Sequence, residues 1–199
     1  MSKPTLQIII ASTRPGRVGL PVAQWFAKFA EHQDAFEIEL VDLAEVDLPL
    51  FDEPNHPIAR QYTRPETIAW SKTDDRADAF VTARREYNHS YNTAIKNTLD
   101  YLHVEWNYKP VGFVSYGGVS AGVRAMTALK PVVAALRMTP TVEAVNIPFV
   151  GQFIDDEGRF VPNEQLEMGA AGMLAEPAKL ERALRPLRAR RRPEPTSAG

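Results

Sequence analysis

The chain contains no cysteine. That one absence excludes disulfides, thiolate metal sites and thiol nucleophiles, including the cysteine-phosphatase chemistry a phosphate-binding loop would otherwise suggest. Histidine is scarce too. The four present (His32, His56, His89 and His103) fit neither a His-x-His nor a His-Glu-x-x-His spacing, so no metal site is expected. Long apolar runs are also missing. The longest, Leu6 to Ala11, is broken by Gln7 and is strand-sized, far short of the roughly 18 residues a membrane-spanning helix needs. The N-terminus lacks the charged-then-apolar order and small-residue cleavage site of a secretory signal. No membrane partner is expected, and a cytoplasmic address follows by default.

Charge of one sign is lacking overall, with a formal net of −2, but it is unevenly placed. From Arg185 to the end stand five arginines and one acid, Glu194, so the rest of the chain is acidic. An arginine run suits nucleic acid or anionic lipid. Beside Pro193 and Pro195 it also suits a solvated terminus, which is the expectation adopted. Residues 1–184 are therefore read as one domain, with 185–199 a basic, disordered tail and no nucleic-acid partner. At 199 residues, 44% hydrophobic and 24% charged, the chain has the length and balance of one globular domain.

What is present alternates between strand and helix patterns. Leu6 to Ala11 is almost wholly apolar, as a strand buried on both faces is. Val22, Trp25, Phe26 and Phe29 then recur at helical spacing. Phe36 to Asp42 alternates as a second strand, and Leu48 to Pro65 is irregular. Helix is expected over Glu66 to Ala77, a short strand over Ala79 to Ala83, helix over Tyr91 to Trp106 and a strong strand over Val111 to Tyr116. Helix is expected again over Val119 to Arg137, kinked at Pro131. A fifth strand is expected at Thr141 to Ile147, a loop from Phe149 to Val161, and helix from Asn163 to Arg190, broken near Pro177. Such βα alternation implies a doubly wound α/β fold: a five-stranded parallel sheet, helices on both faces, ligands at the strands' carboxyl ends.

Three segments fall at those ends. After strand one, Ser12, Thr13, Arg14, Arg17, Val18 and Gly19 combine hydroxyls, cations and a helix start, which suits a phosphate dianion. The segment matches neither the three-glycine dinucleotide pattern nor the Walker pattern, so a terminal monophosphate fits better than a diphosphate. The competing reading is a plain turn with Ser12 or Thr13 capping the helix. After strand three, Glu86, Tyr87 and Asn88 offer an aromatic face with amide and carboxylate groups, suited to a planar ring or, equally, to capping the next helix. After strand four, Ser115, Tyr116, Gly117 and Gly118 let the backbone approach a flat ligand closely, and Gly122 adds to a glycine content beyond a turn's needs.

The stretch EYNHSYNTAIKNTLDYLHVEWNYKPVGFVSYGGVSAGVRA (Glu86 to Ala125) resembles the NADPH-dependent FMN reductase family of flavodoxin-like proteins, which includes quinone, azo-dye and chromate reductases. The opening Ser12-Thr13-Arg14-Pro15-Gly16-Arg17 is similar to that family's phosphate loop. The resemblance spans roughly residues 5 to 150. It implies a flavodoxin-like fold, FMN with its phosphate in Ser12 to Gly19, and the isoalloxazine ring between Glu86-Tyr87-Asn88 and Ser115 to Gly118. It further implies hydride transfer from NADPH or NADH to flavin N5 and on to a small acceptor: free flavin, quinone, azo compound or metal oxyanion. No side-chain nucleophile or metal is then required. Lys96, Asn97, Asp100, Trp106, Lys109 and Pro110 look like the family's structural or subunit-interface residues. A homodimer or homotetramer is implied, with Trp106 and Tyr108 expected as exposed aromatics compatible with it.

The sequence departs from the family where Ala11 replaces a usual glycine, where Arg84-Arg85 replaces a usual Thr-Pro, and where Asn92 replaces a common proline. Two further readings stay open: an FMN electron carrier without NAD(P)H activity, and, on account of the two arginines beside the flavin, a family member that has lost flavin. A dinucleotide-binding dehydrogenase is disfavoured, because Asp42 ends strand two as a ribose-binding acid would but the glycine fingerprint is missing.

Overall fold

A computed structural model describes residues 3–189. The chain runs β1 (Thr5–Ile10), α1 (Gly19–His32), β2 (Glu37–Asp42), the short α2 (Leu43–Val46), α3 (Pro65–Asp75), β3 (Ala79–Arg85), α4 (Thr93–Asp100), β4 (Pro110–Tyr116), α5 (Val123–Ala135), β5 (Thr139–Pro140), β6 (Val145–Ile147) and α6 (Glu164–Ala189). All strand pairs are parallel, in the order β2-β1-β3-β4, with β5 and β6 both pairing with β4. The fold is thus flavodoxin-like α/β, with five positions across the sheet. The central strands are buried on both faces, which explains their largely apolar sequences.

Each face of the sheet carries its own core. Leu6, Ile8, Ala79, Val81 and Ala83 point to the layer of α1 and α6, where Val22, Phe26, Ala170 and Met173 meet them. Ile9, Phe80, Val111 and Phe113 point to the layer of α3, α4 and α5, packing with Trp70, Ile95, Leu99, Leu129 and Val133. Gly112 draws α6 close, since a Cβ there would stand 2.6 Å from the Met173 sulfur. Helix α6 runs unbroken through Pro177, where the sequence predicts a break, and on through Pro186.

Four further expectations shift. The expected fifth strand is two short pieces, because the Thr141 hydroxyl donates to the Glu143 carbonyl (2.9 Å) and turns the chain outward between them. Helix α4 ends at Asp100 rather than Trp106. The indoles of Trp70 and Trp106 donate to the Thr98 and Leu99 carbonyls (3.3 and 3.2 Å), filling acceptors that a longer helix would use. Trp106 is therefore fully buried, not an exposed interface aromatic. Finally, α6 continues through Arg185 and Arg188, both paired with Glu181, so the helix extends past the expected start of the tail at Arg185. Residues 190–199 of that tail lie outside the described residues. Among the described residues, no helix is long and apolar enough to cross a membrane.

The irregular stretch before α3 is fixed by one carboxylate. Glu53 accepts from the backbone N–H groups of Thr63 and Arg64 (2.9 Å each) and from the Thr63 hydroxyl (2.9 Å), satisfying donors at the start of α3. Burial alone would raise its pKa. The N–H groups of Arg64 and Thr63 and the hydroxyls of Thr67 and Thr63 outweigh that and hold it near 2, against an ordinary 4.5. A folded-state pKa below the unfolded one gives stability that is present above about pH 4.5 and lost as pH falls toward 2. Glu53→Gln should lower the unfolding free energy at pH 7 by about 2 kcal/mol. It should also flatten the acid limb of urea melts between those pH values, and an unchanged acid limb would contradict this role.

Candidate functional site

The candidate site lies at the carboxyl ends of β1, β3 and β4, where the loops to α1, α4 and α5 meet. Its first wall is the turn from Ala11 to Gly19. Helix α1 begins on Gly19 without a side-chain cap and without an acid in its first turn. Ser12 and Thr13 are therefore not the helix caps that the competing reading proposed. Uncapped, the start of α1 keeps N–H donors and a partial positive charge for an external anion. A larger residue at Gly19 would have to displace its neighbours: a Cβ would stand 2.1 Å from the Ser12 hydroxyl and 2.3 Å from that of Tyr116.

A small cleft of about 70 Å³ opens here, lined by Ser12, Arg14, Arg17, Arg85, Tyr87 and Tyr116 among others. It has room for one compact anion and not for a ring system. Arg14 is exposed, with no partner among the described residues. Arg17 is tied to Asp42 at the end of β2, and Asp42 also accepts from the Ala44 N–H (3.0 Å) to cap α2. Asp42 is therefore the partner of a cleft arginine, not a free ribose-binding acid. Tyr116 donates to Ser12 (3.3 Å) across the sheet end, and burial pushes its hydroxyl up to about 12, so it remains a donor at neutral pH. The sequence groups Tyr116 with the glycines after β4; in the structure its side chain turns to Ser12 and the arginine-lined cleft.

The second wall is Glu86 to Ser90. Tyr87 and Ser90 exchange backbone hydrogen bonds (2.9 Å each way), and Asn88 and His89 between them have positive φ, the signature of a type I′ turn. Asn88 thus serves the turn. The cap on α4 is Asn92, whose carbonyl oxygen accepts from Ile95 N–H (3.5 Å) while its amide donates to the Ala11 carbonyl. The sequence marks Asn92 only as standing where a proline is common; neither its cap on α4 nor its tie back to Ala11 is legible there. Glu86 accepts from Ser120 (3.1 Å) and pairs with Arg124 (2.5 Å), clasping this wall to the next; the bond from Arg124 holds its pKa below the ordinary range.

The third wall is Ser115 to Gly122. Ser115 is fully buried and hydrogen-bonds the Ala121 carbonyl (2.8 Å) and Asn146 (2.7 Å), so its hydroxyl shapes the turn from inside. Gly122 takes φ +78° with a Cβ position 2.9 Å from the Tyr116 carbonyl, and α5 starts there, not at Val119. Gly117 and Gly118 accept from Val150 and Phe149 N–H (3.1 Å each), fixing this turn to the loop after β6. At Gly118 a Cβ would meet nothing within 4 Å. The protein's own packing does not require glycine there, and the space is open to a ligand.

The adjacent arginines diverge. Arg84 is fully buried on the opposite face, its guanidinium 4.9 Å from the Phe113 ring centre and donating to Thr82 (2.9 Å), with its Nε and Nη2 unpartnered among the described residues. Burial pushes its pKa down to about 9. It adds no charge beside the candidate site. Arg85 faces the cleft. Among the described residues, no group of three or more His, Asp or Glu side chains is placed to hold a metal ion.

Residues 4–152 match the family model described as NADPH-dependent FMN reductase. The chain is 38% identical over 149 residues to an NAD(P)H-dependent FMN reductase of Schizosaccharomyces pombe, covering 73% of this chain and 74% of that protein. It is 32% identical over 142 residues to one of Saccharomyces cerevisiae, covering 66% and 74%. Its fold is similar to that of FerB, a flavoenzyme NAD(P)H:(acceptor) oxidoreductase of Paracoccus denitrificans, with a TM-score of 0.71 at 19% identity over 91% of this chain and 98% of the other. The chain belongs to the NADPH-dependent FMN reductase family.

Arg84 generates a prediction that is separate from ligand binding. A buried guanidinium with no acid partner is destabilising. Arg84→Met should raise the unfolding free energy by about 2 kcal/mol in urea titrations. A loss of stability would show that Arg84 has a counter-charge in solution.

Proposed function

We propose that this member of the NADPH-dependent FMN reductase family binds FMN at the carboxyl edge of its sheet and passes electrons from NADPH or NADH to a small acceptor. The observation that carries the reading is the uncapped start of α1 facing an arginine-lined cleft the size of one phosphate, next to the open space at Gly118. The residues fit the group. Arg14, Arg17, Ser12 and the first N–H groups of α1 would hold a terminal phosphate, with Thr13 and Val18 shaping the turn around it. Tyr87 and the backbone of Gly117 and Gly118 would hold the flat ring.

The chemistry that FMN supplies when bound is two-electron exchange, from nicotinamide to acceptor. The chain's part is to bind and orient. The Glu86–Arg124 pair and the Ser120–Glu86 hydrogen bond tie the two ring-side walls together, and the Ser115 hydrogen bonds brace the third wall from inside. No side chain is assigned a covalent or proton-transferring role. A free flavin, quinone, azo compound or metal oxyanion would use the same open face as the nicotinamide. The reading includes a homodimer or homotetramer. Val119 and Phe149, exposed apolar residues on the two joined loops, supply surface for such a contact.

The test is a visible spectrum of protein incubated with FMN and desalted, before and after anaerobic NADPH or NADH. Retained flavin bands that bleach with a nicotinamide nucleotide are expected. Bands that persist with both nucleotides would make the protein an electron carrier. A colourless protein would overturn the flavin reading altogether.

A further inference from the structure

We infer that Arg85, at the last position of β3, is a ligand of the FMN phosphate and makes the site select a phosphate monoester over the bare flavin. The inference rests on the FMN reading above and assigns a residue that the phosphate loop does not contain. Family members usually carry proline here, which has no side-chain donor.

Strand register is the first support. Arg85 pairs with Tyr116 in the parallel ladder, so their side chains leave the sheet on the same face, while Arg84 pairs with Ser115 and leaves on the other. Tyr116 reaches Ser12, and this brings Arg85 to the phosphate loop across the sheet end. The cleft is the second support: Arg85 lines it together with Arg14 and Arg17. Three arginines from two separate chain segments thus line one cleft of about 70 Å³. The electrostatics agree with that placement. The charges of Arg85 and Arg17 both favour ionisation of the Tyr116 hydroxyl, opposing the burial that is the dominant influence on it.

Charge balance argues for an anion. Arg17 is neutralised by Asp42. Arg14 and Arg85 are exposed and have no partner among the described residues, so the cleft holds two uncompensated positive charges. A phosphate monoester carries nearly two negative charges at neutral pH and presents three acceptor oxygens, and guanidinium groups match that geometry. The same charge has no counterpart on riboflavin, which shares the ring and ribityl chain and lacks the phosphate.

The experiment measures dissociation constants of FMN and riboflavin by flavin fluorescence quenching on apoprotein, for the wild type, Arg85→Gln and Arg85→Pro, with circular dichroism confirming the fold. Both variants should weaken FMN roughly 10- to 100-fold, the scale of a lost charge-assisted hydrogen bond. Riboflavin should change by less than about threefold if the lost contact is to phosphate alone. Equal weakening of both ligands would assign Arg85 to the ring or the turn and overturn the inference. So would unchanged or tighter FMN binding in either variant. A wild type that binds neither flavin is a failure of the FMN reading itself. In that case inorganic phosphate is the probe: a rise in melting temperature that Arg85→Gln abolishes would support Arg85 as an anion ligand, and no such rise would overturn it.

Discussion

The whole site depends on one close approach, that of Gly19 to Ser12 and Tyr116. A Cβ at Gly19 would displace both hydroxyls, so glycine lets the first turn of α1 settle against the ends of β1 and β4 with the Ser12–Tyr116 contact intact. With the helix seated there, its free N–H groups, the Ser12–Tyr116 hydroxyl pair and the arginines of the loop share one small cleft. A larger residue would lift α1 from the sheet edge and separate groups that bind an anion only together. The flavodoxin-like order β2-β1-β3-β4 makes the approach possible, because it sets β1 and β4 on either side of β3 with their carboxyl ends at the same edge of the sheet.

Electrostatics then divide the site. On the phosphate side, cations outnumber acids and one of them, Arg17, is held in place by Asp42. On the ring side, the ion pair of Glu86 with Arg124 has Arg124 half exposed to solvent and serves to clasp two loops. Arg84 and Arg85 show how strand alternation gives neighbouring residues of the same type opposite consequences. One is turned into the layer of α3, α4 and α5 without a counter-charge, and the other reaches the cleft where positive charge is useful.

Much of the fold was legible in the sequence because its signals are local. The apolar runs of β1 and β4 and the Val22, Phe26, Phe29 stripe of α1 state their own structure. What failed to show depended on distant partners. The end of α4 is decided by indoles from Trp70 and Trp106, and the split of the fifth strand by a bend within it that apolar pattern does not reveal. The phosphate loop was visible as a composition of hydroxyls and arginines. Arg85 was not visible as part of it, because β3 was expected to end at Ala83. Only when the strand runs to Arg85 does the alternation assign Arg84 and Arg85 to opposite faces.

The most direct test of the account is a crystal structure of the protein with FMN. The phosphate is expected at the start of α1, within hydrogen-bonding reach of Ser12, Arg14 and Arg85, and the ring over Gly117 and Gly118. A flavin whose phosphate lies outside that cleft, with Arg85 turned to solvent, would contradict it.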